Sequence, residues 1–216
     1  MQKEEHTPAL FEEPEKDLLS VERELNRLGY RCVVGVDEAG RGPMAGPVVC
    51  AAVVLGDKID IAGIDDSKVL SESQRLRLYR RICDQAEACA VAVADHKRID
   101  EINILQASLT TMVAAIDCLP VQPDYVLVDG NKKIPTTLRQ RTIVGGDGKS
   151  ASIAAASILA KVTRDLMMQA YHHVWPEYGF DGHKGYCVAR HREIVAQLGP
   201  CPIHRRSFRG VKEYCP

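Results

Sequence analysis

Four carboxylates in this 216-residue chain stand where chemistry is easily built. Asp37 and Glu38 close an apolar run, Val33-Val34-Gly35-Val36. Asp129 closes Tyr125-Val126-Leu127-Val128, and Asp147 lies in a glycine-rich link between a strand and a helix. Strand ends and the loops after them are where open α/β sheets carry their sites. Carboxylates gathered there repel one another unless protonated or bridged by cations. Oxygen-only ligands select hard divalent ions, Mg2+ or Mn2+. Two such ions about 3.5–4 Å apart can activate a water and stabilise a leaving oxygen in phosphodiester cleavage. Each acid also has a plainer use. Asp37 could end a strand, Asp129 could shape a turn, and Asp147, taken alone, fits a helix cap better than a ligand. Neighbouring side chains on a strand point to opposite faces. Asp37 and Glu38 therefore meet one ion only if the chain bends between them, which Gly40 would permit.

The loop after these acids, Gly40-Arg41-Gly42 onward to Gly46, is almost bare of side chains. Backbone at Gly40 and Gly42 can come within hydrogen-bond distance of a sugar or phosphate, and Arg41 suits a phosphate. A tight strand-to-strand turn would also call for glycine. The spacing misses the dinucleotide fingerprint by one residue and leads into a strand rather than a helix. Residues 143–150, IVGGDGKS, end like a phosphate-binding P-loop, but Ile143 stands where its first glycine belongs. No His-Glu-x-x-His or paired-cysteine motif supports zinc. Lys68, Lys132 and Lys184 are candidate phosphate contacts and otherwise ordinary surface lysines. Tyr186 could stack on a sugar or base, or sit half-buried in a core.

The elements that must position these groups follow from periodicity and punctuation. Apolar spacing predicts helices over residues 11–28, about 71–84, 102–118, 150–170 and 188–198. It predicts strands over residues 33–36, 47–55, 88–94, 124–130 and 140–144. Short links early and helical crossovers later predict a mixed sheet, antiparallel at first and then parallel, in one α/β domain. A hydrophobic content of 45% and a charged content of 26% suit a packed globule. The net charge of -1 gives no bulk signal for nucleic acid. Residues 1–25 nevertheless hold eight acids against three bases, and residues 181–216 seven bases against three acids. That asymmetry hints at a polyanionic partner, although solvated tails explain charge alone more simply. Eight cysteines without a Cys-x-x-Cys pair, no signal peptide and no bilayer-length apolar run predict a reduced, cytoplasmic protein.

Six blocks then occur in order: VDEAGRGPMAGPV, DDSK, VDGN, GDGKSASIAAASILAKVTRD, YGFDGHKGY and PIHRRSF. Together they resemble bacterial ribonuclease HII, the type 2 ribonuclease H, from about Tyr30 to Val211. The resemblance implies a ribonuclease H-like α/β fold: a five-stranded mixed sheet flanked by helices, with a C-terminal helical extension. It leaves residues 1–28 as an acidic extension, helical in part, and residues 29–216 as the catalytic domain. It implies that Asp37, Glu38, Asp129 and Asp147 bind two divalent ions, Mn2+ or Mg2+. Cleavage would fall 5′ of a ribonucleotide, leaving a 3′-hydroxyl and a 5′-phosphate. Substrates would be the RNA strand of RNA–DNA hybrids and single ribonucleotides in duplex DNA. Gly40, Arg41 and Gly42 would read the ribose 2′-hydroxyl, Tyr186 would be the junction tyrosine, and Lys68 would lie near backbone phosphate. Cys187 departs from the family, where glycine or another small residue commonly follows that tyrosine. Two other readings stand beside this one: a DNA nuclease or resolvase of the same fold, and a non-catalytic nucleic-acid-binding module. A type 3 ribonuclease H fits less well, because residues 1–30 leave no room for its N-terminal domain. A monomer is the default expectation.

Overall fold

Glycine at position 35 sets the closest backbone-to-backbone approach among the described glycines. In the computed structural model, which describes residues 17–57, 59–64, 67 and 69–215, a Cβ on Gly35 would lie 2.3 Å from the carbonyl carbon of Ser152. Strand β1 (Val33–Ala39) and helix α5 (Ala151–Val174) therefore touch backbone to backbone. The small residues Ala154, Ala155 and Ser157 carry that contact along the helix, all of them buried. Overpacking of a filled core typically costs 1–3 kcal/mol. Gly35→Ala is expected to cost about 3 kcal/mol and to lower Tm by roughly 6–12 °C, read by calorimetry.

The sheet has five strands in the order β3-β2-β1-β4-β5, with β2 at Val48–Val54, β3 at Ala88–Ala94, β4 at Tyr125–Asp129 and β5 at Arg139–Ile143. Strands β1, β2 and β3 pair antiparallel. Strand β4 lies parallel to β1, and β5 parallel to β4. The mixed sheet predicted from the sequence is thus the observed one. Strand β2 is buried at every residue because both its faces are covered. On one face Val34, Val36, Cys50 and Ala52 pack with Met112, Ala115 and Ile116 of α4 (Ile104–Asp117). On the other, Ala51 and Val53 pack with α5 and with Leu78 and Ile82 of α2 (Glu72–Gln85).

Some boundaries differ from expectation. Strand β1 continues three residues past Val36, so both acids lie within it. The helix predicted over 102–118 is α4, and a short helix that was not predicted, α3 (His96–Ile102), precedes it and is separated from it at Asn103. Asn103 takes a left-handed φ of 66° and its side chain caps α4 by accepting from the Gln106 amide. Helix α1 runs over Ser20–Arg27; residues 11–16 of the longer predicted helix lie outside the described residues. Leu25 of α1 joins Val33, Leu127, Ile143 and Ile153 in a small cluster beside β4 and β5. Beyond α5 come a single helical turn, α6 (Phe180–His183), and α7 (Ala189–Leu198). Among the described residues no helix is long and apolar enough to cross a membrane, and all eight cysteines are free thiols.

Candidate active site

The parallel part of the sheet brings the acids together. Val36 pairs with Val128 in register, so the residues that follow, Asp37 within β1 and Asp129 at the end of β4, lie side by side on neighbouring strands. Asp129 pairs in turn with Ile143 at the end of β5. The loop leaving β5 is tied back by the Gly146 amide, which donates to Asp129 Oδ1 at 2.7 Å. Asp147 follows directly, buried in a single 3-10 turn over Gly146–Gly148. It is not the cap of α5. Ser150 takes that position, its Oγ accepting from the Ile153 amide. Ser150 and Ser152 are themselves anchored by buried Glu22 of α1, whose Oε1 accepts from both hydroxyls and from the Ser152 amide.

Asp37 and Glu38 do not need a bend to be useful, and none lies between them. Pairing with β2 stays regular from Val34 through Ala39. Asp37 therefore faces α5, beside Ser157, and Glu38 faces α4, beside Ser108. The Ser157 hydroxyl also bonds to Ser67 Oγ at 2.8 Å, so Ser67 lies next to the serine beside Asp37. Lys68 itself lies outside the described residues.

Burial pushes the Asp37 carboxyl well above the usual carboxylate range, and the charges of Glu38 and Asp129 push it further. Burial also raises Glu38, with Asp129 adding and Arg41 opposing. Arg41 Nη1 lies 3.2 Å from Glu38 Oε1, so the arginine expected at a phosphate here partly neutralises an acid. Among the described residues no three acid, histidine or cysteine side chains are already drawn into a cage. The donor set still fits a hard divalent ion. It is all oxygen and its members repel one another.

The glycine loop is held from behind by two arginines that sequence reasoning missed. Arg205 is fully buried. It donates to the carbonyls of Gly40 (2.6 Å), Arg41 (3.0 Å), Gly46 (2.9 Å) and Pro47 (3.1 Å). Arg164, also buried, donates to Pro47 and Ala45 at 3.0 and 3.2 Å. Gly40 has a φ of 100°, and a Cβ there would lie 2.1 Å from Arg164 Nε. Burial, with Arg164 close by, pushes the Arg205 guanidinium down to about 9, so it remains charged at neutral pH. The one sequence signal for Arg164 was its place on the buried stripe of α5 that includes Ser157 and Met168.

Tyr186 stands against this loop. Its Cε1 would be 3.7 Å from a Cβ on Gly42, and the Arg164 guanidinium lies 5.9 Å from its ring centroid. Tyr186 is 44% exposed, so part of the side chain is open to solvent. Gly185 ties the tyrosine turn to the loop, its carbonyl accepting from the Met44 amide at 3.0 Å. Lys184 adopts a left-handed φ of 50°, and its ammonium turns to the Asp181 carbonyl. Cys187, where the family commonly has a smaller residue, is not among the positive-φ positions, so its turn does not require glycine.

Sheet order, acid-lined strand ends and flanking helices define a ribonuclease H-like α/β enzyme. The family profile for ribonuclease HII matches residues 34–211. The chain is 54% identical over 200 residues to ribonuclease HII of Geobacter metallireducens, covering 93% of this chain and 94% of that protein. With ribonuclease HII of Geobacter sulfurreducens it shares 53% identity over 202 residues, 94% of this chain and 93% of the other. Its backbone is similar to the crystal structure of ribonuclease H2 from Pyrococcus horikoshii, with a TM-score of 0.72 at 29% identity over 85% of this chain and 97% of that one. The chain belongs to the ribonuclease HII family. It is accordingly a divalent-metal-dependent endoribonuclease, and RNA in RNA–DNA hybrids is the substrate class of the family.

Proposed function

We propose that this enzyme cuts on the 5′ side of a ribonucleotide, leaving a 3′-hydroxyl and a 5′-phosphate. It acts both within RNA–DNA hybrids and at single ribonucleotides embedded in duplex DNA. Asp37, Glu38, Asp129 and Asp147 would hold two divalent ions, Mn2+ or Mg2+. When bound, the ions supply the positive charge that activates water and stabilises a leaving oxygen. The observation that carries the reading is adjacency: Glu38 of the acid pair touches Arg41 of the Gly40–Gly42 loop, and that loop touches Tyr186.

The chain's own groups then divide the work. Carbonyls of Gly40 and Arg41 turn inward to Arg205. That orientation favours an amide-lined outer face for a sugar hydroxyl, the group that distinguishes RNA from DNA. Tyr186 offers a ring face to the adjoining sugar or base, a contact worth about 1–3 kcal/mol per base in comparable sites. Arg41 can exchange Glu38 for a substrate phosphate once cations neutralise the acids. Lys68 and Lys184 are proposed as phosphate contacts, Lys184 by leaving the Asp181 carbonyl. A monomer in the reduced cytoplasm fits eight free thiols.

The test is a duplex carrying one embedded ribonucleotide, assayed with Mn2+ and with Mg2+ beside an all-DNA control. Incision 5′ of the ribonucleotide alone supports the proposal, and cutting of the control would replace it with a DNA nuclease. Gly42→Ala probes the loop directly, because the added methyl meets only ordinary contact with Tyr186. KM on that duplex is expected to rise about tenfold, equivalent to ~1.4 kcal/mol. Mn2+ affinity should stay within twofold by calorimetry.

A further inference from the structure

We propose that His191 and His204 are positioning residues that set the height of Tyr186 over Gly42, and so the preference for a ribonucleotide. This rests on the reading of Tyr186 as a substrate contact. Both histidines are fully buried behind the tyrosine turn, away from the acids. His191 Nδ1 lies 2.9 Å from the Tyr186 carbonyl. A carbonyl only accepts, so Nδ1 carries the proton and Nε2 is left as an acceptor. His204 Nε2 faces it at 3.0 Å and must donate. His204 Nδ1 lies 3.1 Å from the Cys201 thiol and 3.2 Å from the Cys201 carbonyl; with Nε2 donating to His191, Nδ1 takes the thiol as its donor. One chain of polar contacts thus runs from Cys201 to the backbone of Tyr186, with the tautomer of His191 set by the Tyr186 carbonyl.

A third imidazole braces the second. His183 stacks on His191 with centroids 4.2 Å apart and planes 17° from parallel. The Gly185 amide donates to its Nδ1, and its Nε2 donates to the Tyr178 carbonyl at 2.7 Å. Tyr178 and Phe180 wall the pair with centroids 5.1 Å from His204 and 5.6 Å from His191. Burial pushes His191 and His204 down to about 4, so the chain is neutral in the working range. Met44 fixes the entry to the tyrosine turn through Gly185, and His191 fixes the exit. Beside these backbone ties, the ring has the Arg164 guanidinium 5.9 Å from its centroid.

The experiment is a double-mutant cycle on the embedded-ribonucleotide duplex with Mn2+. His191→Ala is expected to raise KM about tenfold with kcat within twofold. His191→Asn, whose amide N–H takes the place of Nδ1–H, should recover most of the loss. On a Tyr186→Ala background, His191→Ala should add less than twofold. An equal rise in both backgrounds, or a wild-type KM in folded His191→Ala, overturns the inference. If His191→Ala does not fold, His204→Gln and His204→Met decide. Gln keeps the donor to His191 and should keep KM, whereas Met should raise it about fivefold; equal KM values overturn the inference. A wild-type KM for Tyr186→Ala overturns the role of the tyrosine instead.

Discussion

Asp37→Asn is expected to abolish cleavage while making the metal-free protein more stable. The carboxyl is fully buried beside Glu38 and Asp129, and all three cannot ionise without cost. Its pKa is raised on folding, so between the unfolded value, about 3.9, and the raised folded value the native state binds more protons than the unfolded chain. Stability is therefore highest in acid and falls as pH rises through the folded value. Asparagine keeps the carbonyl oxygen that accepts from the Glu38 amide at 2.6 Å and removes the charge. Metal-free Asp37→Asn should exceed the wild type by about 1–2 kcal/mol at pH 8, roughly 2–8 °C in Tm, and by little at pH 4. Added Mn2+ should stabilise the wild type far more than the variant, because a site that gathers carboxylates is stabilised by the ion it binds. Cleavage should fall at least several hundred-fold, as when a principal source of transition-state charge stabilisation is lost. Calorimetry in EDTA at the two pH values is the measurement. A variant less stable than the wild type at pH 8 would show that Asp37 serves mainly as a hydrogen-bond partner.

Asp37 and Asp129 stand out in the sequence because each follows an apolar run, and the parallel register that sets them side by side follows from the order of elements. Asp147 was ambiguous, since an acid before a helix also reads as a cap; the structure gives that task to Ser150. Glu22 was hidden among the eight acids of residues 1–25, yet it is buried and holds the start of α5. Its partners lie 128 and 130 residues away, beyond any local pattern. Helix α3 was missed because residues 96–102 carry only two apolar side chains, Ile99 and Ile102. Arg164 and Arg205 were the largest omission. Their partners are backbone carbonyls, which carry no residue-type signature, at separations of 117 to 165 residues.

Arg205→Lys should show what that omission conceals. One guanidinium spans the carbonyls of Gly40, Arg41, Gly46 and Pro47, with its charge 5.0 Å from the centroid of Phe208. An ammonium has three donors on a point charge and cannot reproduce that planar fork. At least one buried carbonyl loses its partner, and hydrogen bonds to charged donors are worth about 1.5–3 kcal/mol each. The expected cost is about 2–4 kcal/mol and a fall in Tm of roughly 4–16 °C. Below the transition the variant should still bind Mn2+ normally, since none of its lost bonds touches an acid. KM on the embedded ribonucleotide should rise at least tenfold, because the loop amides are no longer aimed. The combination separates loop from metal site: loss of stability alone, with KM unchanged, would make Arg205 a structural residue only. A wild-type Tm and KM together would show that the glycine loop holds its shape without it. The physical reason to expect otherwise is that Gly40, Gly42 and Gly46 offer no side chains to pack, so the backbone conformation there must be imposed by donors from elsewhere in the fold.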